Sequence, residues 1–295
     1  MKPLQTRLAP TPSGFLHLGN VFAFLVTAVE AKRRGLELRL RIDDLDRTRF
    51  RQAYLEDVFA VLEVLGIDWQ HGPHSATEFI ADYRQELRLS LYENYLERLR
   101  ATGQVYACGC SRAEMAAHGH NSAACLAQKL PLDDPGYAWR LRLERGTTVC
   151  LFDFEGQSKL EVLGKEVVDP VVRRKQERPG AAALPAYHLA CVADDVLYGT
   201  THVVRGVDLY ESSLIQRYMA EILQEKGFLE LRFLHHDLVQ GPTGQKLSKS
   251  AGDAKAHSLL DAYPDSGPLY GALGTALGAN LKDLSDFEAW WLARN

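Results

Sequence analysis

Two short stretches carry residue types whose spacing could do chemistry on a nucleotide. The first is Pro12-Ser-Gly-Phe-Leu-His17-Leu-Gly-Asn20, a Pro/Gly-rich turn closed by a histidine and an asparagine. Glycine lets the backbone approach a ligand closely, and a helix starting here would present N–H groups and a positive dipole end to an anion. His17 can donate to a phosphate as charge grows on an α-phosphoryl group under attack. The second is Gly244-Gln-Lys246-Leu-Ser-Lys249-Ser250. Lysines outside any helical pattern have no packing role there. The choice lies between a solvated loop and two cations that follow a triphosphate, held most tightly as pyrophosphate leaves. A third stretch is of another kind: Cys108, Cys110 and Cys125, three of the five cysteines, crowd into eighteen positions.

These stretches need elements to position them. Arg7–Pro10 reads as a short strand entering the first turn, and a helix is expected from about Asn20 to Arg34, with basic residues in its last turn and Gly35 as its stop. Leu38–Ile42 alternates as a strand. Leu55, Val58, Phe59, Leu62 and Leu65 share one face of a second helix, and Leu91, Tyr92, Tyr95, Leu96 and Leu99 one face of a third that ends near Gly103. Strand, helix, strand, helix is the rhythm of a parallel α/β sheet. From Gln104 to about Pro179 the rhythm breaks into short extended pieces, Trp139–Leu143 and Thr147–Phe154, with the Cys/His cluster and no strong helix. This reads as an insertion between two halves of one domain. The second half resumes with strands at Tyr187–Val192 and Thr201–Arg205. A helix opened by an Asp208-x-x-Glu211 capping pattern follows and buries Leu214, Ile215, Tyr218, Met219 and Ile222. Past Ser250 there are 45 residues, in which Trp290 and Trp291 suggest a small helical cap.

Composition bounds the reading. The chain has 295 residues, 46% hydrophobic and 24% charged, enough for one large domain or two modest ones. A net charge of −4 excludes a polycation built wholly for nucleic acid. Basic clusters at Lys32–Arg34, Arg39–Arg41, Arg47–Arg51 and Arg173–Arg178 leave local contacts open, although solvated faces explain any one of them. The apolar run Val21–Val29 is too short to span a bilayer, and Met1–Pro10 lacks the apolar core of a signal peptide. A cytoplasmic protein is the expectation. The odd cysteine count argues against a disulfide framework.

His17-Leu-Gly-Asn resembles the "HIGH" motif and Lys246-Leu-Ser-Lys-Ser the "KMSKS" motif of class I aminoacyl-tRNA synthetases. Arg7-Leu-Ala-Pro-Thr-Pro-Ser-Gly, Arg41-Ile-Asp-Asp-Leu-Asp, Tyr187-His-Leu-Ala and Val204-Arg-Gly narrow the likeness to the glutamyl/glutaminyl branch. It extends to about residue 255. The resemblance implies a Rossmann-like parallel-sheet catalytic domain split by an insertion, with a short helical C-terminal segment and no anticodon-binding domain. Its segments would be 1–103 and 187–250 for the catalytic halves, 104–186 for the insertion and 251–295 for the helical end. It also implies roles. Arg7 and Arg205 would grip the carboxylates of L-glutamate, in a pocket completed by Ala9, Ser13 and Tyr187. ATP, with Mg²⁺, would meet Pro10, His17, Gly19, Asn20, Lys246 and Lys249, of which His17 and the two lysines are catalytic.

Two departures from the family stand out. Asp43 occupies a place where the family has glutamate, and that carboxylate would hold the substrate's α-amino group. The family's zinc knot reads Cys-x-Cys, then Tyr-x₃-Cys, whereas Asn121 stands four before Cys125. The implied ligands are Cys108, Cys110 and Cys125, with His120 as the fourth and His118 as its alternative. A monomer lacking an anticodon reader resembles the members of this branch that attach glutamate to queuosine in tRNA(Asp). The alternatives are a minimal enzyme charging the 3′ end of tRNA(Glu), a nucleotidyltransferase that uses no tRNA, and an inactive binding paralogue.

Overall fold

Strand β1 (Gln5–Leu8) and strand β2 (Glu37–Leu40) run parallel in the register Arg7↔Arg39 and Leu8↔Leu40. The crossover between them is helix α1 (Leu18–Arg34), which ends with Gly35 in the left-handed conformation. The computed structural model describes residues 3–144, 146–163, 168–176, 184–239 and 257–294. Lys246 and Lys249 lie outside the described residues, as does the side chain of His118. Helix α2 (Gln52–Val64) follows β2, and the chain then returns beside it, where the Leu40 N–H reaches the His71 carbonyl at 2.8 Å. Gly72 makes that return possible. Its φ is 98°, and a Cβ there would sit 2.0 Å from the Leu40 carbonyl oxygen.

Contacts divide the chain into two compact units: Met1–Leu87 with His202–Asp208 and Phe233–Asn295, and Arg88–Thr201 with Leu209–Arg232. In the first unit, β1 also lies beside a strand at His202–Gly206, where Arg7 reaches the Val204 carbonyl at 3.5 Å. The helix Leu284–Leu292 closes this unit, with Trp291 donating to the buried Glu30 of α1 at 2.8 Å. Phe22 of α1 packs edge-on against Phe287, Trp290 and Trp291.

The second unit holds an antiparallel three-stranded sheet formed by Val105–Cys108, Ala138–Leu141 and Val171–Arg173. A hairpin of Thr148–Asp153 with Ser158–Val162 accompanies it. Its helices Leu89–Ala101 and Tyr187–Leu197 are joined by a buried group in which Asp194 accepts from Arg88 at 2.9 Å and from Tyr92 at 2.8 Å.

Three sequence expectations change here. Tyr187–Val192 is the start of a helix, not a strand. Its run from Leu189 to Asp195 is buried on every side, so no periodicity separates the two states. Asp208 does not open a capping box. A 3₁₀ turn at Val207–Leu209 leads into the helix Tyr210–Leu223, whose first residue has no side-chain cap. The insertion does carry helices, Arg112–His118 and Ser122–Ala127, both short and both capped, by Ser111 and Asn121.

Candidate functional site

The parallel strands set the first group of residues. Beyond β2 the pairing continues, the Arg41 N–H donating to the Leu8 carbonyl and the Asp43 N–H to the Pro10 carbonyl, each at 2.9 Å. Arg41 and Asp43 therefore stand next to Ala9 and Pro10 at the carboxyl ends of the strands, the edge at which open α/β sheets take ligands. Arg7, Arg41 and Arg205 are all buried in this unit. Arg41 grips Asp43 in a two-bond fork, Nε to Oδ1 at 2.9 Å and Nη2 to Oδ2 at 3.1 Å. Arg205 lies over the Phe233 ring, 5.6 Å from its centroid. A Cβ at Gly206 beside it would meet the side-chain ends Asp208 Oδ1 at 2.6 Å and Leu238 Cδ2 at 2.9 Å, which would have to turn aside.

The His17–Asn20 stretch has a local function that its chemistry did not announce. His17 is the N-cap of α1, and with Asn20 it forms a reciprocal capping box. His17 Nδ1 accepts from the Gly19 N–H at 3.1 Å, while Asn20 Oδ1 accepts from the His17 N–H at 3.0 Å. An Nδ1 that accepts leaves the proton on Nε2, so the outer nitrogen of the neutral ring is a donor. Ser13 sits in the preceding turn, its N–H bonded to the Thr11 carbonyl at 2.8 Å. Pro10, Ser13, His17, Gly19 and Asn20 thus share one strand–turn–helix element with Arg7. Tyr187 belongs to the other unit, where it is 43% exposed and packs on His188.

The second group is the Cys/His cluster. The ligand atoms of Cys108, Cys110, His120 and Cys125 all lie within 4.8 Å of one another. Cys108 ends a strand, and the two short helices and their caps bring His120 and Cys125 back onto it. His120 Nε2 is 3.6 Å from the sulfurs of both Cys108 and Cys125. The sulfur of Cys125 is 3.8 Å from that of Cys108 and 3.4 Å from that of Cys110. A tetrahedral ion with metal–sulfur bonds of about 2.3 Å and a metal–nitrogen bond of about 2.0 Å requires edges of about 3.8 and 3.5 Å. These four distances lie within about 0.4 Å of such edges, so the donor set suits a tetrahedral ion. Asn121 takes no part, because its Oδ1 caps Ala124 at 3.0 Å.

Electrostatics prepares the cluster unevenly. Burial raises a thiol, yet at Cys108 the hydrogen bonds from Arg140 and from the Cys110 backbone outweigh it and hold the group below its ordinary value. Burial and the neighbouring sulfurs push Cys125 up to about 12. Burial, then the Arg140 charge, lowers His120 and keeps its ring neutral, the form that ligates metals.

The split α/β unit and its capped strand–turn–helix element are those of a class I synthetase catalytic domain. Residues 3–269 match the family described as tRNA synthetases class I (E and Q), catalytic domain, and the chain belongs to that family. It is thereby a ligase of a class that uses ATP and Mg²⁺. It is 38% identical over 282 residues to the glutamyl-Q tRNA(Asp) synthetase of Methylococcus capsulatus, covering 92% of this chain and 87% of that protein. With the glutamate–tRNA ligase 2 of Syntrophus aciditrophicus the identity is 31%, over 87% of this chain and 54% of the other. The crystal structure of glutamate-tRNA synthetase from Elizabethkingia anophelis superposes with a TM-score of 0.67 at 26% identity, over 87% of this chain and 54% of that one. The chain thus spans about half the length of the last two proteins. Among the described residues no helix is long and apolar enough to cross a membrane.

Proposed function

We propose that the chain activates L-glutamate as glutamyl adenylate with ATP and transfers it to the queuosine base of tRNA(Asp). The observation that supports this best is the pair of buried guanidiniums, Arg7 and Arg205, on neighbouring strands beside the capped turn of His17. A dicarboxylate suits such a site, because each planar carboxylate can take a guanidinium fork. The choice of acceptor leans on relatives such as the Methylococcus protein, matched over most of both chains.

In the first step an α-carboxylate oxygen of glutamate attacks the α-phosphorus of ATP, and the bond to pyrophosphate breaks. The Nε2–H of His17 donates to the phosphoryl oxygen that gains charge, with Asn20 fixing the turn and Gly19 and Pro10 allowing close approach. Lys246 and Lys249 accompany the leaving pyrophosphate, and Mg²⁺ shares that charge when bound. Asp43, oriented by Arg41, receives the α-ammonium of glutamate, while Ala9 and Ser13 line the pocket and Tyr187 is assigned to it by resemblance. In the second step a hydroxyl of the acceptor attacks the glutamyl carbonyl, and AMP departs with the electron pair of the broken bond. Zinc on Cys108, Cys110, His120 and Cys125 would order the inserted segment 104–186 and take no part in the chemistry.

Transfer of labelled glutamate to bulk tRNA from cells with and without queuosine tests this reading. Label confined to the queuosine-containing tRNA(Asp) is the expected result. Label on tRNA(Glu) in both preparations would instead mean a minimal translation synthetase.

A further inference from the structure

Asp57 lies on the buried side of α2, where an apolar residue would be expected, and is 5% exposed. Its Oδ2 accepts the Leu16 N–H at 2.9 Å, and its Oδ1 accepts the hydroxyl of Ser258. Ser258 in turn caps the helix Leu259–Ala262, accepting the Leu260 N–H at 3.1 Å. One turn earlier on α2, Tyr54 packs edge-on against Phe15, with ring centroids 4.9 Å apart. Two contacts from one helix face therefore hold the two residues that precede His17. The capping box of α1 serves the N–H groups of His17 and Gly19, and Asp57 serves that of Leu16.

A carboxylate in this place is costly. Burial raises its pKa, and the bonds from Leu16 and Ser258 offset that only in part. Packing alone would be better met by a leucine or an alanine. The geometry points to Asp57 as a positioning residue for adenylate formation, one oxygen fixing the turn that aims His17 and the other holding Ser258 at the cap of the helix Leu259–Ala262. This rests on the reading of His17 as a group that meets ATP.

The test is glutamate-dependent ATP–pyrophosphate exchange by the full chain with bulk tRNA present, read as kcat and glutamate KM separately, beside thermal melting. A wild-type chain without exchange would defeat the underlying reading before any variant is made. Given exchange, Asp57→Ala should lower kcat by roughly tenfold to a hundredfold at unchanged glutamate KM, the size of effect that a small misplacement of a reacting group produces. Asp57→Asn keeps one acceptor for Leu16 and can donate to the Ser258 oxygen, so it should recover most of that loss. Unchanged kcat in the alanine variant, or an asparagine variant no better than it, would overturn the assignment. Should Asp57→Ala fail to fold, Ser258→Ala decides: a several-fold drop in kcat at wild-type melting temperature supports the role, and wild-type kcat refutes it.

Discussion

The Cys/His cluster and the strand-end site are assembled in opposite ways. The cluster draws all its ligands from one stretch, the most distant pair being 17 positions apart. The strand-end site joins Arg7 to the strand of Arg205 across 197 positions. In the cluster, two short capped helices do the positioning, and the ion would supply the cohesion that so small an element lacks. At the strand ends, parallel register does the positioning, and the core beneath supplies the cohesion. A site of the first kind should be lost by removing its ligand atoms or its ion. A site of the second kind should be altered by single side chains without loss of the fold.

Withholding zinc from the cluster would separate the two most sharply. Structural zinc contributes about 10–16 kcal/mol of apparent folding energy to zinc-finger peptides. Chelation, or Cys125→Ala, should therefore release one zinc per chain and unfold the segment around it, seen as lost amide protection at residues 105–127. Glutamate affinity at the strand ends should survive. Loss of both together would show that the two sites are not independent. Arg205→Ala is the reverse experiment. Truncating one partner of a buried charged pair costs about 2–5 kcal/mol, so glutamate affinity measured by calorimetry should fall at least roughly thirtyfold with zinc content intact. Unchanged affinity would take Arg205 out of the pocket.

The same contrast explains what the sequence could disclose. The His17–Asn20 turn and the cysteine spacing are local patterns, and both were legible. Even so, two features needed the structure: the part of His17 as helix cap, and the place of the His120 ring beside the cysteine sulfurs. Tyr187 was misassigned to a strand because a helix buried all round shows no stripe. Asp57 was missed because the Leu55, Val58 and Leu62 stripe accounts for α2 without it. Its one signal was the Glu56-Asp57 pair, of which only Glu56 faces solvent. The sequence shows Asp43 standing where the family has glutamate, but the Arg41 fork that engages it depends on register beyond β2.

A smaller perturbation sharpens the register argument. Gly206→Ala would drive a Cβ against Asp208 and Leu238. Where those two side chains are held in place, overpacking of this kind costs about 1–3 kcal/mol, and relief by movement of the strand would carry Arg205 with it. Glutamate affinity should fall, though less than in Arg205→Ala. A variant with lowered stability and unaltered glutamate binding would mean that the strand yields away from the site.

The smallest effect is expected at the far end of α1. Trp291 donates to Glu30 at 2.8 Å, and Glu30 also accepts from Arg34 at 2.9 Å. Trp291→Phe keeps much of the ring packing on Phe22 and removes one donor to a buried carboxylate that still has an arginine. A hydrogen bond to a charged group contributes about 1.5–3 kcal/mol, and the retained Arg34 contact places the expected loss at the lower end. The melting temperature should then fall by a few degrees, with glutamate affinity and zinc content both unchanged. A fall in glutamate affinity would instead make the C-terminal helix part of what aims α1, and with it His17, so that the strand-end site would reach much further through its unit than its own strands.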